Sequence, residues 1–404
     1  MKILFVTGLY PIEHIDTIRT MAKGNIQNAS NVFQWSVVDG LHKNNAEFEV
    51  VTLPFLPAFP FKFNNLFTPK GDLLYEGDYI GKMISYCDLI VYKTYSMESE
   101  LKKFILNWVE RNCRNDEKLV ILTYTPYIPF IKAAVSVKKK HPKIIISSII
   151  TDLVDDMMNF KSNKTFFKRI QCYQEKNKTK KLYKYIDKFI LLTLPMIEKI
   201  PEALGKNIIV EGISVDKNLE VIEKNDVIKS LLYTGTLEEF SGVGHLIEAF
   251  MEIKNTNIQL IICGNGTLKE KIEKAAQLDS RIIFKGLVTR EEAIKLQKQA
   301  TLLINPRKPE GEITRFSFPS KTMEYLSSGT PMIGYKLEGI PHEYYSFYYV
   351  IEDNSKECLI RTIEETLSLK KEELERKAKD AFNFIQNNKT SKIQVKRVIN
   401  FLDF

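Results

Sequence analysis

The chain has 404 residues, 44% hydrophobic, 27% charged and 11% aromatic, with 58 Lys+Arg against 50 Asp+Glu and a net charge of +8. This is a globular mixture with apolar material for two cores, and it excludes a disordered or fibrous chain. The most apolar long run, 119–131, is interrupted by Pro126 and Pro129 and falls short of the ~20 apolar residues a membrane-spanning helix needs.

The opening residues read as a first β-strand rather than a secretory signal, because their apolar run is too short for one. Further short apolar, β-branched runs at 48–53, 88–92, 118–123, 143–150 and 188–192 are expected to be buried strands, with helices over 31–43 and 99–112 between them. A polar, strand-poor stretch lies between Pro201 and Asn225, and then the rhythm restarts. Strands are expected at 230–234, 258–263, 281–284, 302–305 and 331–335, separated by helices at 243–254, 268–277, 291–300 and 320–328; helices over 370–388 and 391–401 close the chain. Strand–helix alternation implies parallel sheets joined by right-handed crossovers. The expected fold class is therefore α/β with two Rossmann-like domains, 1–205 and 206–385, and a last helix in 386–404 packing back on the first.

Five cysteines, Cys87, Cys113, Cys172, Cys263 and Cys358, are odd in number and form no CxxC. That pattern fits free thiols in a reducing cytoplasm. Between Lys161 and Lys188 ten basic residues face only Glu175 and Asp187, an excess equal to the whole net charge. The run reads either as a solvated helix face or as a contact with an anionic surface such as phospholipid, which would make the protein peripheral at the inner face of the cell membrane. Nucleic acid is not expected, since no binding module accompanies the run. Nor is a metal: the five histidines form no HExxH, and Asp155 and Asp156 lack DxD spacing.

Ligands of open α/β sheets bind beyond the carboxyl ends of the strands. Three such turns stand out. The first runs from Thr234 through Gly235, Thr236 and Ser241 to Gly242; the second holds Gly264 and Gly266; the third runs from Phe316 through Phe318, Pro319, Ser320, Lys321 and Thr322 to Glu324. Glycines there present free N–H groups, and a helix start favours phosphate. Ser320 is expected to cap the third helix. Glu324, one turn in, is placed to accept from the two hydroxyls of a ribose.

The segment from Phe318 through Ser320, Lys321 and Glu324 to Gly329 and Ile333 resembles the donor-binding signature of glycosyltransferase family 4, retaining enzymes of the GT-B fold. Gly235 with Gly242, 246–250, 262–266, Phe284 with Gly286, and 303–307 add matches in order over about 230–340. The resemblance implies two domains facing across a cleft, an acceptor-side first one and a nucleotide-sugar-binding second one. It implies transfer of a sugar from a nucleotide diphosphate donor, UDP ahead of GDP, to a glycan or lipid-linked acceptor in bacterial-type surface polysaccharide synthesis, with no metal or other cofactor. Glu324 would bind the ribose, and amides around Phe318, Pro319, Ser320 and Thr322 would face sugar and diphosphate. Gly235, Thr236 and Gly264 would complete the donor site. Gly8, Ser30 and Asn31, with Asn28 and Ala29, fall where the family has a loop touching donor and acceptor. Asp152 stands at a strand end where members carry a polar residue, often His, and would position the acceptor hydroxyl.

The sequence departs from the family at three positions. The usual partner carboxylate eight residues before Glu324 is Phe316, and two usual cations are Thr236 and Ser241. Arg307 and Lys321, with Arg315 behind them, are expected to replace those cations, Arg307 as a fork clamping two phosphates. Two alternatives stay open: a sugar-nucleotide epimerase of the same fold, or a nucleotide-sugar-binding protein without activity.

Overall fold

The apolar runs fold as strands buried on both faces: Ile3, Leu4, Phe5 and Val6, and Val120, Ile121 and Leu122, are fully inaccessible. The computed structural model describes residues 1–21, 28–61, 63–113, 117–153, 166–214, 219 and 228–404. They divide into two compact units, Met1–Ile213 with Ser391–Phe404, and Ser214–Thr390.

The first unit holds β1 (Lys2–Thr7), β2 (Glu47–Thr52), β3 (Gly71–Tyr75), β4 (Asp78–Met83), β5 (Leu119–Tyr124), β6 (Ile145–Ile150), β7 (Lys188–Leu191) and β8 (Asn207–Ile209). They form one sheet in the order β3-β4-β2-β1-β5-β6-β7-β8, parallel except where β3 runs against β4. Its helices are α1 (Ile15–Met21), α2 (Asn28–Lys43), α3 (Lys93–Asn112), α4 (Ile128–Lys138), α5 (Phe166–Tyr183) and the short α6 (Met196–Lys199).

One expectation fails here, and one element is not foreseen. The run 88–92 is not a strand: Asp88 is fully buried, paired with Lys93 at 2.7 Å and accepting from the Phe59 amide at 3.2 Å, and the chain turns into α3. A buried carboxylate with its own cation fixes a turn, which apolar content alone does not reveal. The hairpin β3–β4 goes unanticipated, although Glu76 and Gly77, both at positive φ, form its tight turn.

The second unit holds β9 (Lys229–Thr234), β10 (Ile258–Cys263), β11 (Ile282–Gly286), β12 (Leu302–Asn305), β13 (Met332–Tyr335) and β14 (Tyr349–Ile351). The order is β11-β10-β9-β12-β13-β14, with every pair parallel. Around it run α7 (Val243–Glu252), α8 (Lys269–Leu278), α9 (Arg290–Gln299), α10 (Glu312–Phe316), α11 (Ser320–Leu326), α12 (Lys356–Ser368) and α13 (Lys371–Asn388). Both sheets are doubly wound, with the order reversing beside β1 in one and beside β9 in the other.

The last helix, α14 (Ser391–Asp403), packs on α2. Gly40 permits the approach, since a Cβ there would lie 2.4 Å from the Ser391 carbonyl oxygen. Asp39 accepts from the hydroxyls of Ser391 and Tyr75, and Asn44 Nδ2 donates to the Lys392 carbonyl at 2.8 Å. Among the described residues, no helix is long and apolar enough to cross a membrane.

Candidate functional site

The end of β9 in the second unit is organised by Thr234. Its amide donates to Tyr325 Oη at 2.9 Å, and that hydroxyl donates back to the Thr234 carbonyl at 3.1 Å. Burial pushes the Tyr325 phenol far above its usual range, so it stays a neutral donor. Thr234 Oγ1 accepts from Gln297 Nε2 at 3.0 Å and lies 3.5 Å from Lys321 Nζ. The same Gln297 nitrogen donates to Glu324 Oε1 at 2.5 Å, while Lys321 Nζ reaches the two Glu324 oxygens at 3.1 and 3.2 Å. Gln297 is buried, whereas Lys321 and Glu324 keep 30% and 35% of their side chains exposed. The carboxylate is thus fixed from beneath and open above. Lys321 and Glu324 meet because residues three apart share one face of a helix.

A second group gathers at the end of β12. Arg307, half-buried, donates through Nη2 to Ser317 Oγ at 3.1 Å. Gly242, at φ 76°, lies so close that a Cβ would sit 1.9 Å from the Pro306 carbonyl oxygen. Tyr233 lies within reach of the Arg307 charge, and its hydroxyl donates to the Thr236 carbonyl at 2.7 Å. Asn305 Nδ2 donates to the buried Thr322 Oγ1 at 3.3 Å, which ties β12 to α11.

The glycine turns serve backbone packing. Gly264, at φ 147°, has the Gly235 carbonyl oxygen 1.8 Å from where a Cβ would stand, and Gly266 has the Leu237 carbonyl oxygen at 2.5 Å. Two expectations fail: the turn amides are not free, since Gly235 donates to the Cys263 carbonyl at 3.0 Å and Gly264 to the Gly286 carbonyl at 2.7 Å, and Pro319, not Ser320, is the N-cap of α11, with no side chain capping the helix and Ser320 exposed. Pro319 holds the extended backbone of a cap residue by itself. Phe318 is buried against Tyr344, at 5.6 Å between ring centres. Phe316 is 1% exposed, so the position of the usual first carboxylate is core. Thr236 is exposed, Ser241 is buried and donates to the Glu238 carbonyl at 2.6 Å, and Arg315 pairs with Glu338 at 2.6 Å.

In the first unit, Gly8, Ser30, Asn31, Tyr124 and Asp152 meet at the carboxyl ends of β1, β5 and β6. The Gly8 amide donates to Gln34 Oε1 at 2.8 Å, and the Tyr10 amide donates to Asn31 Oδ1 at 2.8 Å. Gln34 Nε2 holds the carbonyl and hydroxyl oxygens of Ser30, both at 3.2 Å. A Cβ on Gly8 would strike the Phe55 ring at 2.4 Å. Desolvation pushes the Tyr124 phenol up to about 12 against hydrogen bonds with Ser30 and Thr151, and the Asp152 charge adds to the rise. Asp152 keeps exposed surface, yet loss of water from its surroundings raises its pKa against a hydrogen bond with Thr151. Thr125 follows at φ 62°, a costly conformation for a β-branched residue, and such strain concentrates at functional sites. Asn28 and Ala29 have no described side chains, and Asp155 and Asp156 lie outside the described residues.

Sequence reasoning missed Gln34, Tyr124 and Gln297. Tyr124 ends an apolar strand, a detectable position; Gln34 and Gln297 lie inside helices and carry no local signal.

Residues 228–368 match the family model described as glycosyl transferases group 1. The second unit carries a glycosyl transferases group 1 domain. The fold of the chain is that of the GT-B glycosyltransferases. It aligns with the lipopolysaccharide outer core galactosyltransferase WaaB in its apo form at 15% identity, covering 100% of this chain and 99% of that one with a TM-score of 0.60. A variant of S. aureus TarM in complex with fondaparinux, alpha-GlcNAc-glycerol and UDP aligns at 11% identity, with full coverage of both chains and a TM-score of 0.59. The catalytic domain of starch synthase IV from Arabidopsis thaliana, bound to ADP and acarbose, aligns at 8% identity over 100% of this chain and 99% of that one, with a TM-score of 0.62. No curated protein sequence matches the chain. The group 1 match takes in Glu324, Lys321, Gln297 and Arg307, whereas the first-unit cluster lies outside it.

Proposed function

We propose that the protein is a retaining, metal-independent glycosyltransferase that moves a sugar from a nucleotide diphosphate donor, UDP ahead of GDP, to a glycan or lipid-linked acceptor in bacterial-type surface polysaccharide synthesis. The observation that carries this reading is the Glu324 carboxylate, anchored by Gln297 and Lys321 and open to solvent at the end of β9, inside the group 1 domain. Glu324 accepts from the ribose hydroxyls. Lys321, beside Glu324, and Arg307, after the end of β12, offset the charge that builds on the diphosphate as its bond to the sugar breaks. Asp152, with Gly8, Ser30 and Asn31, receives the acceptor hydroxyl whose oxygen forms the new bond. The galactosyltransferase and TarM likenesses support a saccharide product and a uridine donor. The basic run ending at Lys188 supports a peripheral position at the inner face of the membrane.

Titration calorimetry with UDP, GDP, ADP and their sugars tests the reading. Saturable binding of one nucleotide is expected, strongest for UDP; binding of none refutes it. Buried Phe316 and uncharged Thr236 favour a second reading, a nucleotide-sugar binder without turnover. Release of UDP that depends on an added acceptor separates the two.

A further inference from the structure

Two lysine-rich runs far apart in sequence meet in the first unit. One, 138–143, follows the end of α4; the other, 180–188, closes α5. The two helices pack together and lead into the neighbouring strands β6 and β7, so both runs arrive at the amino-terminal edge of the sheet. A pocket of about 380 Å³ opens there, lined by Lys138, Lys139, Pro142, Lys184, Tyr185 and Asp187. Asp187 is already engaged: Lys138 Nζ reaches its two oxygens at 2.6 and 2.5 Å, and the Ile146 amide donates to it at 2.7 Å. It therefore does not cancel Lys139 and Lys184, both exposed. Seven lysines fall within 138–143 and 180–184. Two helix C-termini oppose them with about half a negative charge each, so the surface around the pocket stays strongly positive.

We propose that this pocket seats the phosphate of an anionic phospholipid headgroup and so docks the first unit on a membrane. The lysines extend well beyond the pocket, as a charged sheet of lipid requires and a single soluble phosphate does not. Tyr185, 39% exposed at the rim with Lys184 Nζ 4.9 Å from its ring centre, offers an apolar ring and a polar tip of the kind that settles at headgroup level. β6 has six residues and spans ~20 Å, so docking by this edge leaves Asp152 at the other end uncovered. The inference deepens the peripheral-membrane reading above and rests on it, but owes nothing to donor chemistry.

The test is co-sedimentation of the full chain with phosphatidylglycerol or phosphatidylcholine vesicles at ~0.15 M salt. It compares wild type with two variants of equal charge, Lys139→Glu/Lys184→Glu in the pocket and Lys178→Glu/Lys181→Glu on α5 outside it. UDP affinity, read on the same samples, reports folding and the donor site separately. Binding to phosphatidylglycerol alone, lost at least tenfold more in the pocket variant than in the other, is the expected result. Equal losses in both variants overturn the pocket and leave a diffuse basic face. Wild type that ignores anionic vesicles but binds glycerol phosphate overturns the lipid source, and wild type that binds neither overturns the proposal and the peripheral reading together, whatever UDP does.

Discussion

Replacing Glu324 by Ala should damage donor affinity and stability by separate, calculable amounts. In the folded protein its carboxylate accepts from Gln297 Nε2 at 2.5 Å and from Lys321 at 3.1 and 3.2 Å. Gln297 is 1% exposed, and its amide nitrogen keeps Thr234 Oγ1 as a second partner, so truncation strands one buried N–H. A stranded buried donor costs about 1–3 kcal/mol. The Lys321 pair adds little, about 0–1 kcal/mol, because both side chains are about a third exposed. For a unit of this length each kcal/mol moves the midpoint by roughly 2–4 °C, so the combined loss of about 1–4 kcal/mol should lower thermal unfolding of the second unit by about 2–16 °C. A ribose diol that loses its charged acceptor forfeits a further ~1–3 kcal/mol of binding, which is about 5- to 150-fold in Kd. Calorimetric titration with UDP measures that loss, and a differential scan of the same sample measures the first. A lowered midpoint with unchanged UDP affinity would leave Glu324 a structural residue and refute its role in the site.

Three further outcomes are expected. Asp152→Asn should slow transfer, yet stabilise the protein at neutral pH. The folded-state pKa of Asp152 is raised by desolvation, so ionisation costs stability as pH climbs above the unfolded value of 3.8, and the amide removes that cost; denaturant midpoints at pH 4 and 7 check it. Gly264→Ala should destabilise by roughly 2–5 kcal/mol, combining strain at positive φ with a clash against the Gly235 carbonyl, whereas Gly286→Ala, at φ 67° with open space around it, should cost only ~1–2 kcal/mol. For Asp39, desolvation raises the pKa, but hydrogen bonds from Ser391, Tyr75 and Lys43 outweigh it and leave the folded value below 3.8. Its stabilisation is therefore complete above pH 3.8 and lost as pH falls through the lower folded value. Acid unfolding followed by near-UV circular dichroism should be less steep in Asp39→Asn, and an unchanged slope would show that α14 is held by packing alone.

Part of this molecule is written locally. The runs 258–263 and 302–305 are strands residue for residue, because continuous β-branched and aliphatic stretches bounded by turns have one low-energy use in a parallel sheet. The two α/β series follow from strand–helix alternation, and the Lys321–Glu324 neighbourhood follows from helical periodicity. Nothing local shows that Asp88 would bury with Lys93 and turn a supposed strand into a helix start. Nor does it reveal that Gln297, from a helix that reads as ordinary, fixes Glu324 from below, or that Lys138 and Lys139 line one pocket with the distant Lys184. Secondary structure and the residue types of a site are set by neighbours in the chain, whose periodicity a sequence displays. The partners of buried polar groups are set by which strands lie side by side, and that order, 3-2-1-4-5-6 in the second unit, exists only once the sheet has closed on its core.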